Sequence, residues 1–156
     1  MHRRRLLIAA LAGPAWTAAH AHHGWSSFDQ DKPLYLEGTA RKVAWRNPHV
    51  EFDLELPAEL KLPADLAKRP VPAQSAGIDG ARLLSAARLP GRPDKLWHIE
   101  LAPLTRMSAW QVAELKNGDR VAMVGYTLTG EKGEAVMRVE YLFVGAATYG
   151  LRSSPA

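Results

Sequence analysis

Between residues 49 and 56 the chain alternates with a period of two. Val50, Phe52, Leu54 and Leu56 fall on one face; His49, Glu51, Asp53 and Glu55 fall on the other. Strict alternation of this length predicts a strand with one buried face. The pattern returns at 95–102, where Trp97, Ile99 and Leu101 oppose His98 and Glu100 and Pro103 ends the run. A third run, 135–144, sets Met137, Val139, Tyr141 and Phe143 against Arg138 and Glu140. Residues 34–45 and 120–129 supply two more strands. In the first, Tyr35, Thr39, Val43 and Trp45 favour a pleated surface, and Gly38 marks a bulge or sharp bend. Asn47-Pro48 and Asn117-Gly118-Asp119 are turn signals, and Gly130 to Gly133 is the loop of a final hairpin. Thr105 to Leu115 suits a short helix, with Trp110, Val112 and Leu115 available to pack.

Residues 57–93 break the pattern. They hold six of the eleven prolines and few large apolar residues, with one short helix expected over Asp79 to Leu89. We read this segment as a partly mobile insertion between two strands. The order strand, strand, insertion, strand, helix, hairpin predicts a mainly β protein. The expected form is a small five-stranded antiparallel barrel of the OB type, with one short helix and a Pro-rich insertion. A plain β-sandwich is the alternative. The expected domain runs over 22–148, with 149–156 as a fraying, flexible tail.

The first 21 residues have the pattern of a secretory signal. Arg3, Arg4 and Arg5 precede a short apolar run, Leu6 to Ala12, and Ala19-His20-Ala21 is a small-residue cleavage site. The run is too short to span a bilayer, so no transmembrane segment is expected once the signal is removed, and the location is periplasmic or secreted. This changes the charge. The chain carries 20 Lys and Arg against 16 Asp and Glu, a formal +4. Three of the Arg lie in the signal, and the 57–93 segment has more basic than acidic residues. What remains is slightly acidic, without the concentrated basic face that nucleic acid requires. There is no cysteine. Disulfides, thiolate metal sites and cysteine nucleophiles are therefore excluded, and any metal must be held by imidazole, carboxylate, thioether or the terminal amine.

Four histidines remain after cleavage: His22, His23, His49 and His98. Cleavage after Ala21 makes His22 the N-terminus, whose amine and imidazole together suit the nitrogen-rich ligation of Cu(II). If strands 49–56 and 95–102 are antiparallel neighbours, matching their apolar faces sets Glu100 opposite His49 and His98 opposite Glu51. Directly opposed side chains start about 4.5–5.5 Å apart. Two imidazoles and two carboxylates then share one polar patch, suited either to a divalent ion or to a plain surface charge network. Trp25 and Trp45 are candidates for ligand or partner contact. There is no Gly-x-Ser-x-Gly elbow and no phosphate-binding Gly-rich loop ahead of a helix.

The same residues carry a family resemblance. His22-His23 with Phe28-Asp29, Leu36-Glu37-Gly38-Thr39, Trp45-Arg46-Asn47-Pro48-His49, Trp97 with Glu100, Pro103-Leu104, Trp110 and Gly118-Asp119-Arg120-Val121 occur in that order. This resembles the exported bacterial family catalogued as domain of unknown function 6152, over most of residues 22–145. The resemblance implies an exported β-rich domain and supplies no activity. The 57–93 segment is longer than the connection such proteins usually have.

The expectation is therefore a periplasmic, non-enzymatic binding protein that holds a transition metal, copper first, through His22, His23, His49 and His98 with Glu51 and Glu100. Two other classes stay open. One is an envelope interaction module using the barrel face or the insertion; the other is a small-ligand site in the barrel.

Overall fold

The computed structural model describes residues 24–156; His22, His23 and the signal segment lie outside the described residues. All five expected strands form: β1 (Leu34–Ala44), β2 (Glu51–Glu55), β3 (Leu96–Glu100), β4 (Arg120–Tyr126) and β5 (Val136–Val144). Among the described residues there are also two α-helices, α1 (Gly80–Ala86) and α2 (Leu104–Ala109), three single-turn 3-10 segments and a short last strand, β6 (Ala147–Gly150). β1 pairs with both β2 and β4, β2 with β3, β4 with β5, and β3 with β5. The five strands thus close in the order 1-2-3-5-4, with α2 between the third and fourth, as in an OB-type barrel. One pairing departs from the antiparallel expectation: β3 and β5 run parallel. An odd number of strands in a closed ring cannot alternate direction throughout, so one parallel pair is required.

β1 serves two partners because it bends. Leu34 to Thr39 pair with β4, and Thr39 to Ala44 pair with β2. Gly38 sits at the changeover. A Cβ there would lie 2.2 Å from the Glu55 carbonyl oxygen, so the backbones approach more closely than any side chain allows. The sequence signal at Gly38 marks this pivot.

The barrel interior is filled by Leu36, Phe52, Leu54, Trp97, Ile99, Met123, Met137 and Val139, all at or near zero exposure. Side chains occupy the space that a ligand would need.

A second core lies outside the barrel. Tyr35, Val124, Tyr141 and Phe143 point outward and are covered by Leu66, Leu83, Leu84 and Ala87 of the 57–93 segment. That segment is therefore a packed cover and not the expected partly mobile excursion. It needs few apolar residues because the barrel wall supplies the other half of the core. Asp79 caps α1 by accepting from the Arg82 backbone N–H at 3.0 Å.

Boundaries also differ: α1 ends at Ala86, short of Leu89, and β4 at Tyr126, short of 129. α2 stops at Ala109 and does not reach Leu115; Gln111 takes a left-handed turn (φ 53°), and Leu115 packs from irregular chain. The expected flexible tail at 149–156 is folded in. β6 pairs with β5, Leu151 is buried, and the Trp110 indole N–H donates to the Ser153 carbonyl at 2.8 Å. Ser75 N–H donates to the Ser154 carbonyl at 3.0 Å, tying the tail to the cover. Short polar residues hid this, because the tail is held mainly by hydrogen bonds.

Gly38→Ala is expected to destabilise the barrel by about 1–3 kcal/mol, since the added methyl must displace backbone. Urea unfolding checks this, with a lower midpoint at an unchanged slope as the expected result.

Candidate functional site

The strand register is two residues from the expected one. Glu51 lies opposite Glu100, and Asp53 opposite His98. Val50 bonds instead with Leu101 and Ala102, so His49 sits just beyond the paired ladder. The patch still gathers, but around a residue that the periodicity had assigned to a solvent face. Arg138 of β5 donates to Glu100 Oε2 at 2.9 Å and to His49 Nε2 at 3.0 Å. Arginine is donor-only, so His49 accepts through Nε2. Arg138 and Glu100 form a buried pair, with side chains 8% and 5% exposed.

His98 stands beside this pair on the outer surface of β3. Its Nε2 is 3.8 Å from Glu51 Oε2, and its Nδ1 is 3.8 Å from Asp53 Oδ1. The two carboxylates address opposite ring nitrogens, so no one point is in reach of all three groups. Lys42 pairs with Asp53 at 3.0 Å. Among the described residues, no group of three or more His, Asp or Glu converges to hold a metal ion. The Arg138 guanidinium stands between His49 and Glu100, the place where an ion bridging them would sit.

The patch continues into a polar seam along β5. Between Val124 and Gly125 the β4–β5 register slips, so that Glu140 is an extra residue on β5. This bulge breaks the expected alternation: Met137, Val139 and Leu142 face inward, while Tyr141 and Phe143 join the outer core. Gly125 permits the slip, since a Cβ there would lie 2.3 Å from the Arg138 carbonyl oxygen. Glu140 has no exposure, yet it is fully engaged. It accepts from Gln74 Nε2 at 2.9 Å and from Arg152 Nε at 2.8 Å. Gln74 comes from the cover and Arg152 from the tail.

Trp25 lies over the same seam. Its ring centroid is 3.6 Å from the Arg152 guanidinium carbon and 5.3 Å from that of Arg138, and it meets Tyr126 edge-on at 6.4 Å. Trp25 thus packs against charged side chains instead of lining a groove. Trp45 is half-buried against the barrel core. Burial, and then the nearby Glu140, push the Tyr126 hydroxyl up to about 12. Burial also raises Tyr141. Arg138, Glu140, Arg152 and Gln74 were missed by sequence reasoning. The available signal was the opposite charges two apart in the most apolar strand of the chain.

These features define the class: a small OB-type β-barrel whose outer wall carries a covered polar seam ending in a His/Glu patch. Residues 10–61 match the family model described as Family of unknown function (DUF6152), which bears out the resemblance drawn from the motifs. That span takes in β1, the Asn-Pro-His loop and β2. No curated protein matches the chain, and no solved structure does.

Glu100→Gln leaves the Arg138 charge buried against a neutral partner and is expected to cost about 3–5 kcal/mol in urea unfolding. Replacing both, as Glu100→Leu with Arg138→Met, is expected to recover most of that loss. Tyr126 gives a pH signature. An unfolded tyrosine ionises near 10, so the Tyr126 contribution is complete below that pH and is lost as the pH rises towards 12. Absorbance titration of tyrosinate is expected to show late ionisation together with alkaline unfolding.

Proposed function

We propose that this protein is an exported, non-enzymatic binding module of the bacterial envelope that holds a divalent transition ion, with copper the first candidate. The N-terminal signal pattern supports export. The observation that carries the metal reading is the His98–Glu51 pair, an imidazole nitrogen facing a carboxylate oxygen. Its 3.8 Å separation is too long for a hydrogen bond. Two ligands at about 2.0–2.2 Å from one ion are separated by roughly 3–4 Å, depending on the angle between them. The 3.8 Å between these two atoms lies within that range.

The remaining ligands come from the chain start. Trp25 rests against Arg138, which itself contacts His49, and Glu100 and Glu51 are cross-strand partners. His23 precedes Trp25 by two residues, and consecutive Cα atoms are about 3.8 Å apart. The His22 amine and the His22 and His23 imidazoles are the further donors proposed. His49 joins such a site only by giving up its contact with Arg138, so His98 is the stronger protein ligand.

The competing readings lack comparable support. The cover turns Leu66, Leu83 and Leu84 inward, which leaves little apolar surface for a partner.

The test is calorimetric titration of Cu(II) into protein recovered after export, with its N-terminus established by mass spectrometry. Tight one-to-one binding is expected, falling steeply below about pH 6 as imidazole ligands take protons instead. His98→Ala is expected to weaken binding more than tenfold and His49→Ala less. One extra residue before His22 is expected to weaken it also. Equal binding by the His98→Ala protein and the extended protein would sink the proposal.

A further inference from the structure

Just beyond the end of β4, three segments wall a cavity of about 210 Å³. The turn before β1 supplies Asp29 and Lys32, the cover supplies Arg88, and the connection from β4 to β5 supplies Thr127, Leu128 and Glu131. Main-chain bonds fix these segments to one another. Asp29 N–H donates to the Thr127 carbonyl at 2.9 Å, Phe28 bridges to Leu128, and Arg88 N–H donates to the Pro33 carbonyl at 3.2 Å. The walls are therefore preformed.

The charges come in two pairs. Lys32 Nζ lies 3.4 Å from Asp29 Oδ2, and Arg88 Nη1 lies 2.7 Å from Glu131 Oε1. The other Glu131 oxygen accepts from the Gly91 N–H at 2.7 Å, so both its oxygens are engaged. The Lys32 side chain is 59% exposed, so Asp29 is held more loosely. Thr127 lies among these charges and is only 2% exposed, and its hydroxyl has no hydrogen-bond partner among the described residues. A buried hydroxyl in that condition lowers stability. The cavity that Thr127 lines is the side from which a partner can come.

The charges also choose the ligand. Two cations and two carboxylates sum to zero. A simple anion meets Asp29 and Glu131, and a simple cation meets Lys32 and Arg88. A molecule carrying both signs complements both pairs. Sites for drug-sized ligands occupy roughly 300–1,000 Å³, so the occupant here is smaller. We propose that this cavity binds a small zwitterion of the free amino acid class, with its ammonium on Asp29, its carboxylate facing Lys32 and Arg88, and the Thr127 hydroxyl donating to that carboxylate. The site shares no residue with the His/Glu patch and does not depend on the metal reading.

Glycine is the probe, with acetate, methylammonium and glycerol as its single-charge and uncharged counterparts. Each is titrated at constant ionic strength into the protein recovered after export, and the amides of Lys32, Thr127 and Leu128 are followed by NMR. Saturable shifts with glycine are expected, with the other three binding about tenfold more weakly or worse. Thr127→Val removes the hydroxyl at nearly constant shape. Its thermal midpoint is expected to equal or exceed that of the parent, while glycine affinity falls about tenfold. Thr127→Ser returns the hydroxyl and is expected to bind glycine within a few-fold of the parent. Absence of a saturable glycine shift overturns the proposal. Equal binding of acetate, methylammonium or glycerol overturns it too, by making this a site for one charge or for a polyol. A lowered midpoint in Thr127→Val shows the hydroxyl to be partnered in the folded protein and overturns it, as does parent-like glycine affinity in that variant.

Discussion

The fold turns on two opposite charges on the outer wall of one central strand. Arg138 and Glu140 of β5 are both buried, and Glu140 entirely so. A buried ion without partners costs far more than any one packing contact returns. Each must therefore be met by groups brought from elsewhere. Arg138 is met by Glu100 and His49, and Glu140 by Arg152 and Gln74. Those partners come from β3, the loop after β1, the tail and the 57–93 cover. The N-terminal arm then closes over the seam through Trp25. Segments with little apolar content are held in place because these two charges require them.

The bulge makes this possible. Had β5 alternated without interruption, Tyr141 and Phe143 would face the interior with Met137 and Val139. The extra residue at Glu140 sends both aromatics outward instead. They become the floor on which Leu66, Leu83 and Leu84 pack. The same slip that buries a carboxylate therefore creates the second core that buries it. Gly125 is the local condition for both, since only glycine lets β4 approach the Arg138 carbonyl so closely.

The strands and the barrel were legible in the sequence because alternation is local. Val50 to Leu56 and Trp97 to Leu101 declare their inward faces without reference to anything distant. The Gly38 bend was legible for the same reason. Register was not. Matching apolar faces is satisfied equally well by shifts of two, so nothing local picks out Glu51 opposite Glu100. The seam was hidden more deeply. Arg138 and Glu140 fall where alternation assigns polar residues to solvent, and nothing local says that this face is covered. The cover has too few apolar residues to announce a core, and the tail is fixed by backbone and side-chain hydrogen bonds that composition does not reveal. The four candidate ligands do share one neighbourhood, but Arg138, which no ligand-spacing argument contains, stands at its centre.

That guanidinium narrows what the patch can do. Arg138 is committed to Glu100, and Lys42 to Asp53, so these carboxylates carry their own cations. The patch is then not a general acidic sink. A divalent ion gains most where an imidazole and a carboxylate face each other at a spacing it can bridge, which is the His98–Glu51 position. Two side chains alone hold such an ion weakly, since transition-metal sites usually take three or four protein donors. In the proposed site the further donors would be nitrogens from another part of the chain, and His22 and His23 immediately precede Gly24 in the sequence. The proposed site would then draw on two parts of the chain, the β2–β3 wall and the residues before Gly24.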